Sequence, residues 1–72
     1  MKAWIVRDKD GLISIFNVKP IKNKRLGYWH LGEINWGDFC WGLNPDEIPD
    51  INPRWEDEEP IEVELTIRRK GK

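Results

Sequence analysis

Histidine, cysteine and methionine occur once each in this 72-residue sequence, and that scarcity removes whole classes of chemistry. One His and one Cys cannot build the four-ligand zinc sites that use paired Cys or His spacings. Cys40 has no second cysteine for an internal disulfide, in keeping with a reducing compartment. Long apolar runs are missing too: Leu12 to Phe16 is broken by Ser14 and falls far short of the roughly 20 residues that cross a bilayer. Met1-Lys2-Ala3-Trp4 leads to Arg7 and Asp8 with neither an apolar h-region nor a small-residue cleavage site, so a cytoplasmic protein with no membrane span is expected. None of the Gly-x-x-x-x-Gly spacings is followed by Lys-Ser or Lys-Thr, which removes the phosphate loop. Asp8-Lys9-Asp10-Gly11 starts like a calcium loop but lacks its later ligands, so it reads as a turn. No cofactor and no metal are expected.

What is present is one small domain. A chain of this size buries only about 60% of its unfolded surface, which leaves little room for a closed pocket once a core is filled. Hydrophobic residues at 39% argue against disorder, and charged residues at 35% leave that core thin. Charge is segregated along the chain. Residues 1–45 hold seven Lys/Arg against four Asp/Glu, for +3; residues 46–64 hold nine acids and only Arg54, for −8; residues 65–72 hold four bases, for +4. Such blocks either steer a partner or neutralise each other in space.

The pattern of residues predicts a mainly β fold: a twisted antiparallel sheet of four or five strands with one short helical turn near residues 45–48. A hairpin over residues 3–17 joins Ala3-Trp4-Ile5-Val6 to Leu12-Ile13-Ser14-Ile15-Phe16 through the Asp8 to Gly11 turn. Pro20 closes that hairpin, and Lys22-Asn23-Lys24-Arg25 reads as a solvated loop. Aromatic strands are expected over residues 28–41: one from Tyr28 to Leu31, then Gly32 to Gly37 as a turn with a short strand or a bulged continuation. Gly27, Gly32, Gly37 and Gly42 recur every five residues, too few for a repeat architecture. Asn44-Pro45-Asp46-Glu47 has the form of a capped helix start that Pro49 cuts short. An acidic, Pro-rich segment over residues 45–60 then lies across the domain, pinned by Trp55. Ile61, Val63, Leu65 and Ile67 alternate with Glu62, Glu64, Thr66 and Arg68, which is strand periodicity and predicts a terminal strand over residues 61–68. Ile5, Ile13, Ile15, Val63, Leu65 and Ile67 are the expected core. Glu62 and Glu64 need basic partners on a neighbouring strand, and the N-terminal hairpin can supply them.

Five tryptophans carry the functional signal. Tyr28, Trp29, Trp36, Phe39 and Trp41 fall within fourteen residues, and rings on a β surface either fill a small core or meet a partner. Tyr28 and Trp29 point to opposite faces of any regular strand, so one of them sits away from the main core. The leading expectation is a non-enzymatic module that binds a protein partner through Tyr28, Trp29, Trp36 and Trp41 together with Glu58 and Glu59. A single-stranded nucleic-acid binder using Lys22, Lys24, Arg25 and Trp29 is the alternative, opposed by the −8 segment and a pI near 5.8. A purely structural domain is a third reading. An enzyme built on Cys40, His30 and Asp38 has no spacing that brings the three together and no evident oxyanion hole. A second copy of the chain is also a candidate partner, because an open sheet has two edges.

Met1-Lys2-Ala3-Trp4, Arg7-Asp8-Lys9-Asp10-Gly11 and Trp55-Glu56-Asp57-Glu58-Glu59-Pro60-Ile61-Glu62-Val63-Glu64-Leu65 resemble segments of small proteins from Bacteroides-type genomes and their phages or mobile elements. The resemblance covers the two ends and leaves the aromatic middle unmatched. It implies no known activity and assigns no functional residue; it suggests a compact, phage-related accessory protein acting through a partner.

Overall fold

A computed structural model describes residues 1–66; Ile67 and the basic tail, with the expected end of the last strand, lie outside the described residues. The fold is mainly β. Six strands form, β1 (Lys2–Arg7), β2 (Ile13–Phe16), β3 (Ile21–Asn23), β4 (Tyr28–His30), β5 (Cys40–Leu43) and β6 (Ile61–Glu64), with one 3-10 turn at Pro45–Glu47. Four of them make an antiparallel sheet in the order β5-β2-β1-β6, and β3 pairs with β4 in a separate two-stranded hairpin.

The β1–β2 hairpin closes as its turn chemistry requires. The Asp8 and Gly11 backbones bond across the turn, Leu12 N–H donates to Asp10 Oδ1 at 3.0 Å, and Gly11 takes φ of +100°, which strains any residue that has a side chain. At the start of the 3-10 turn, Glu47 Oε1 accepts the Asn44 N–H at 2.7 Å, the reach-back contact the sequence leads one to expect.

Both faces of the large sheet are covered, which is why β2 is buried along its whole length. On one face Ala3, Ile5, Ile13 and Ile15 form a cluster under Leu43, Ile48, Ile51, Val63 and Leu65. On the other, Val6 and Phe16 pack with Trp29, Leu31 and Trp55. The Pro-rich segment serves both faces: Ile48 and Ile51 cover the first, Pro53 is fully buried, and Trp55 covers the second. It changes face beside the β1–β2 turn, where Asn52 to Glu56 share a groove with Arg7 to Gly11.

Two expectations are corrected. Residues 21–23 are strand β3 and not solvated loop, because Lys22 and Trp29 are cross-strand partners and their pairing extends the ladder on either side. Residues 32–37 form no strand: β4 ends at His30 and a loop runs to Cys40, so the aromatic stretch is two separate strands. β6 is regular only from Ile61 to Glu64, although Leu65 N–H still donates to Met1 O at 2.7 Å.

Candidate functional site

Four of the five tryptophans divide into two groups, the fifth, Trp4, lying half-buried on β1. Trp29 is 6% exposed and belongs to the second core cluster, which corrects its assignment to a contact surface. Strand alternation puts Tyr28 on the opposite face, 39% exposed and edge-on to His30 at 5.7 Å. Lys22 shares the Trp29 face, its Nζ 5.5 Å from the Trp29 ring centre and 4.4 Å from that of Trp55. The same ammonium donates to the backbone carbonyls of Trp55 and Asp57, the latter at 2.9 Å. Lys22 therefore fastens the acidic segment to the β3–β4 hairpin. It is engaged inside the fold.

The acidic and basic candidates turn out to face each other. Lys24 Nζ lies 3.7 Å from Glu58 and Lys19 Nζ 3.0 Å from Glu59, all four side chains well exposed. Lys22, Lys24, Trp55, Glu56 and Glu58 line one groove of about 400 Å³. The exposed pairs contribute little each, about 0–1 kcal/mol, but they show the blocks of opposite sign meeting within the chain. Arg25 stays exposed on the same hairpin turn. At the sheet edge, Lys2 of β1 lies 3.5 Å from Glu62, the kind of basic partner expected from the hairpin, whereas Glu64 is met by the Met1 ammonium at 2.6 Å. That ammonium holds the Glu64 carboxyl below its ordinary range, first by its hydrogen bond and then by its charge.

The second group stands outside the core. Trp36 is 102% exposed and Trp41 58%, and Ile34, two residues before Trp36, is 73% exposed. The segment that carries Trp36 is nonetheless tied down. Asp38 N–H donates to Asn35 O at 3.0 Å, Asn35 N–H donates to Asp38 Oδ2 at 2.8 Å, and Gly37 takes φ of +91°. A turn with glycine at its third position and positive φ there is of type II. Trp36 occupies the second position, at the tip. Asn17, just past β2, anchors the turn from below: its Nδ2 donates to Gly37 O and its Oδ1 accepts the Phe39 N–H, both at 2.8 Å. Phe39 and Trp41 then stack at 4.6 Å and 12° along one side of β5.

Sequence reasoning did not single out Asn17, Asn35 or Ile34. The signal that was present is Asn35-Trp36-Gly37-Asp38, a turn spelled by its Asn, Gly and Asp.

The remaining nucleophile candidates are not assembled. Cys40 is exposed beside an open groove of about 570 Å³ lined by Asp8, Ser14, Phe16, Tyr28 and Trp29 among others. His30 is not among its lining residues and its Nδ1 bonds to Leu31 O at 2.8 Å, while Asp38 is engaged in the Trp36 turn. Asp8, also on the groove's lining, accepts the backbone N–H of Trp29 at its Oδ1 at 2.9 Å. Burial raises its pKa, more strongly than that hydrogen bond lowers it, and Asp10 adds a smaller push in the same direction. Among the described residues no group of three His, Cys, Asp or Glu is placed to share a metal ion, and no helix is long and apolar enough to cross a membrane. Comparison with protein-family models, with curated proteins and with solved structures finds no match.

Proposed function

We propose that this chain is a non-enzymatic accessory module that binds a protein partner through its exposed aromatic edge. Trp36 is the anchor, and the Phe39–Trp41 stack forms the surface beside it. The observation that carries the reading is the fully exposed Trp36 on a hydrogen-bonded turn. A large ring in water adds nothing to the core, whereas a ring already held in place loses little freedom on binding, and tryptophan is among the residues that dominate interfaces. Tyr28 is a further exposed ring available for contact. Glu58 and Glu59 have a lesser part, since Lys24 and Lys19 already meet them. The nucleic-acid alternative loses ground for a similar reason: of its four residues, Trp29 is buried and the Lys22 ammonium is engaged by the carbonyls of Trp55 and Asp57. The accessory role, with an origin in a phage or mobile element, rests on the resemblance of the two chain ends alone.

Photo-crosslinking from position 36, followed by capture with Trp36→Ala and Trp41→Ala, tests the reading. Trp36→Ala should change folding stability by no more than about 0.5 kcal/mol, as surface substitutions do. It should weaken partner capture roughly 30-fold, the effect of losing about 2 kcal/mol at an interface anchor. Undiminished capture by both variants overturns the proposal, and so does unfolding of Trp36→Ala.

A further inference from the structure

We infer that the outer edge of β5 pairs with β5 of a second copy of this chain, antiparallel and centred on Trp41, joining two four-stranded sheets into one. The inference gives the partner for one part of the aromatic edge and rests on the reading of that edge as a contact surface.

Which backbone groups are free on β5 follows from the hydrogen-bond alternation. Asp8 N–H bonds to Leu12 O, so in the β1–β2 ladder the groups of Ser14 and Phe16 face β1 and those of Ile13 and Ile15 face β5. Asn17 N–H donates to Phe39 O at 3.3 Å, which continues the same alternation. Leu43 and Trp41 stand opposite Ile13 and Ile15, so their backbone groups are used on β2. Those of Cys40 and Gly42 point outward. Among the described residues no strand pairs there.

Pairing β5 with itself about a two-fold axis perpendicular to the sheet brings residues of equal facing together, which leaves three central registers. An axis at Gly42 sets Cys40 against Asn44, whose N–H and carbonyl are both taken by Glu47. An axis at Cys40 sets Gly42 against Asp38, whose N–H is given to Asn35. An axis at Trp41 sets Cys40 against Gly42 twice over, so the four outward groups on each strand are matched with no existing bond broken. Trp41 then meets Trp41 of the second copy in the close, non-hydrogen-bonded position, with Phe39 opposite Leu43 on either side.

Charge favours the same edge. Cys40-Trp41-Gly42-Leu43 carries none, whereas the other edge of the sheet presents Glu62 and Glu64, the kind of protection that keeps edges apart.

Sedimentation equilibrium of the full chain across micromolar to submillimolar concentrations is the first measurement. Twice the 8.6 kDa chain mass is expected at the upper end. Trp41→Lys should raise the dimer dissociation constant tenfold or more with an unchanged circular dichroism spectrum. The register is read independently by Gly42→Cys. A Cβ at position 42 meets only Ile13 O at 3.8 Å, so the site has room. In the dimer the new thiol lies opposite Cys40 of the second copy, at a Cα separation of about 5.5 Å that a disulfide spans. Mild oxidation should give a covalent dimer of Gly42→Cys and far less of the parent chain, whose two Cys40 Cα atoms would be roughly 8 Å apart. A monomer at every concentration overturns the inference, as does a dimer that Trp41→Lys leaves intact or parent chain that crosslinks as fast as Gly42→Cys. Loss of the dimer with crosslinking from Trp36 retained separates failure here from failure of the proposed function.

Discussion

Trp29 and Trp55 on one side of the molecule, and Trp36 and Trp41 on the other, are the same residue type put to opposite uses. The first pair closes over Lys22 and is joined by Val6, Phe16 and Leu31, so its rings lie in a cluster that also satisfies a cation. The second pair has hydrogen bonds beneath it and solvent above it. Asn17 and Asp38 hold the backbone of the Trp36 turn, and no core residue packs on the Trp36 ring. The difference teaches that order and burial are separable in a small sheet protein. A side chain becomes available to a partner when polar groups, and not its own burial, fix the backbone under it.

The widest gap between the two regions should appear on truncating one ring from each. Trp29→Ala should destabilise the fold by about 3–5 kcal/mol, the usual cost of emptying a large aromatic site. Net stability of small domains is of the order of 5 kcal/mol, so this variant should be largely unfolded in urea titrations that leave Trp36→Ala unchanged. Equal losses from the two variants would dissolve the distinction.

Next in size is Lys22→Met, which keeps the stem over the rings and removes the ammonium. Two carbonyls, of Trp55 and Asp57, lose their partner, and leaving partly buried acceptors unpaired costs about 1–3 kcal/mol. Hydrogen exchange should accelerate over residues 53–60 and stay unchanged around Asn35 to Asp38. Unaltered exchange in the acidic segment would mean that Trp55 packing alone holds it.

The same contrast explains what was legible in the sequence. Burial of Ile5, Ile13 and Ile15, the first hairpin and the capped turn at Asn44 to Glu47 were readable because each rests on local chemistry: alternation, a turn glycine, a reach-back carboxylate. The partition of the tryptophans was not. Tyr28-Trp29 announces that one ring faces in, but the choice depends on the hairpin docking over Val6 and Phe16, a contact between residues distant in the chain. β3 was hidden by its own composition, since Lys22-Asn23-Lys24 has the polarity of a loop and becomes a strand only because Lys22 has Trp29 opposite and Trp55 above. Segregated charge pointed equally to a partner or to internal pairing. The pairing of Lys19 with Glu59 and Lys24 with Glu58 depends on the chain's path and on no local motif.

The smallest expected effect concerns Asp8, whose carboxylate holds the strand that carries the buried ring by accepting the backbone N–H of Trp29. Burial raises its folded pKa above the ordinary aspartate value of 3.8. A carboxyl whose pKa is higher folded than unfolded binds its proton more tightly in the folded state, so its contribution is fully present below the unfolded pKa and is lost as pH rises through the folded one. Glu64, lowered from 4.5 by the Met1 ammonium, acts in the opposite sense, its contribution present at higher pH and lost on acidification. The two are separable by mutation. Asp8→Asn keeps an oxygen acceptor for Trp29 and removes the charge, so at neutral pH it should match or slightly exceed the parent in urea midpoint, the difference closing as pH falls below the ordinary aspartate range. A variant weaker than the parent at neutral pH, and equal to it in acid, would show instead that the negative charge itself holds the Trp29 backbone, and that the buried tryptophan depends on electrostatics as the exposed turn depends on Asp38.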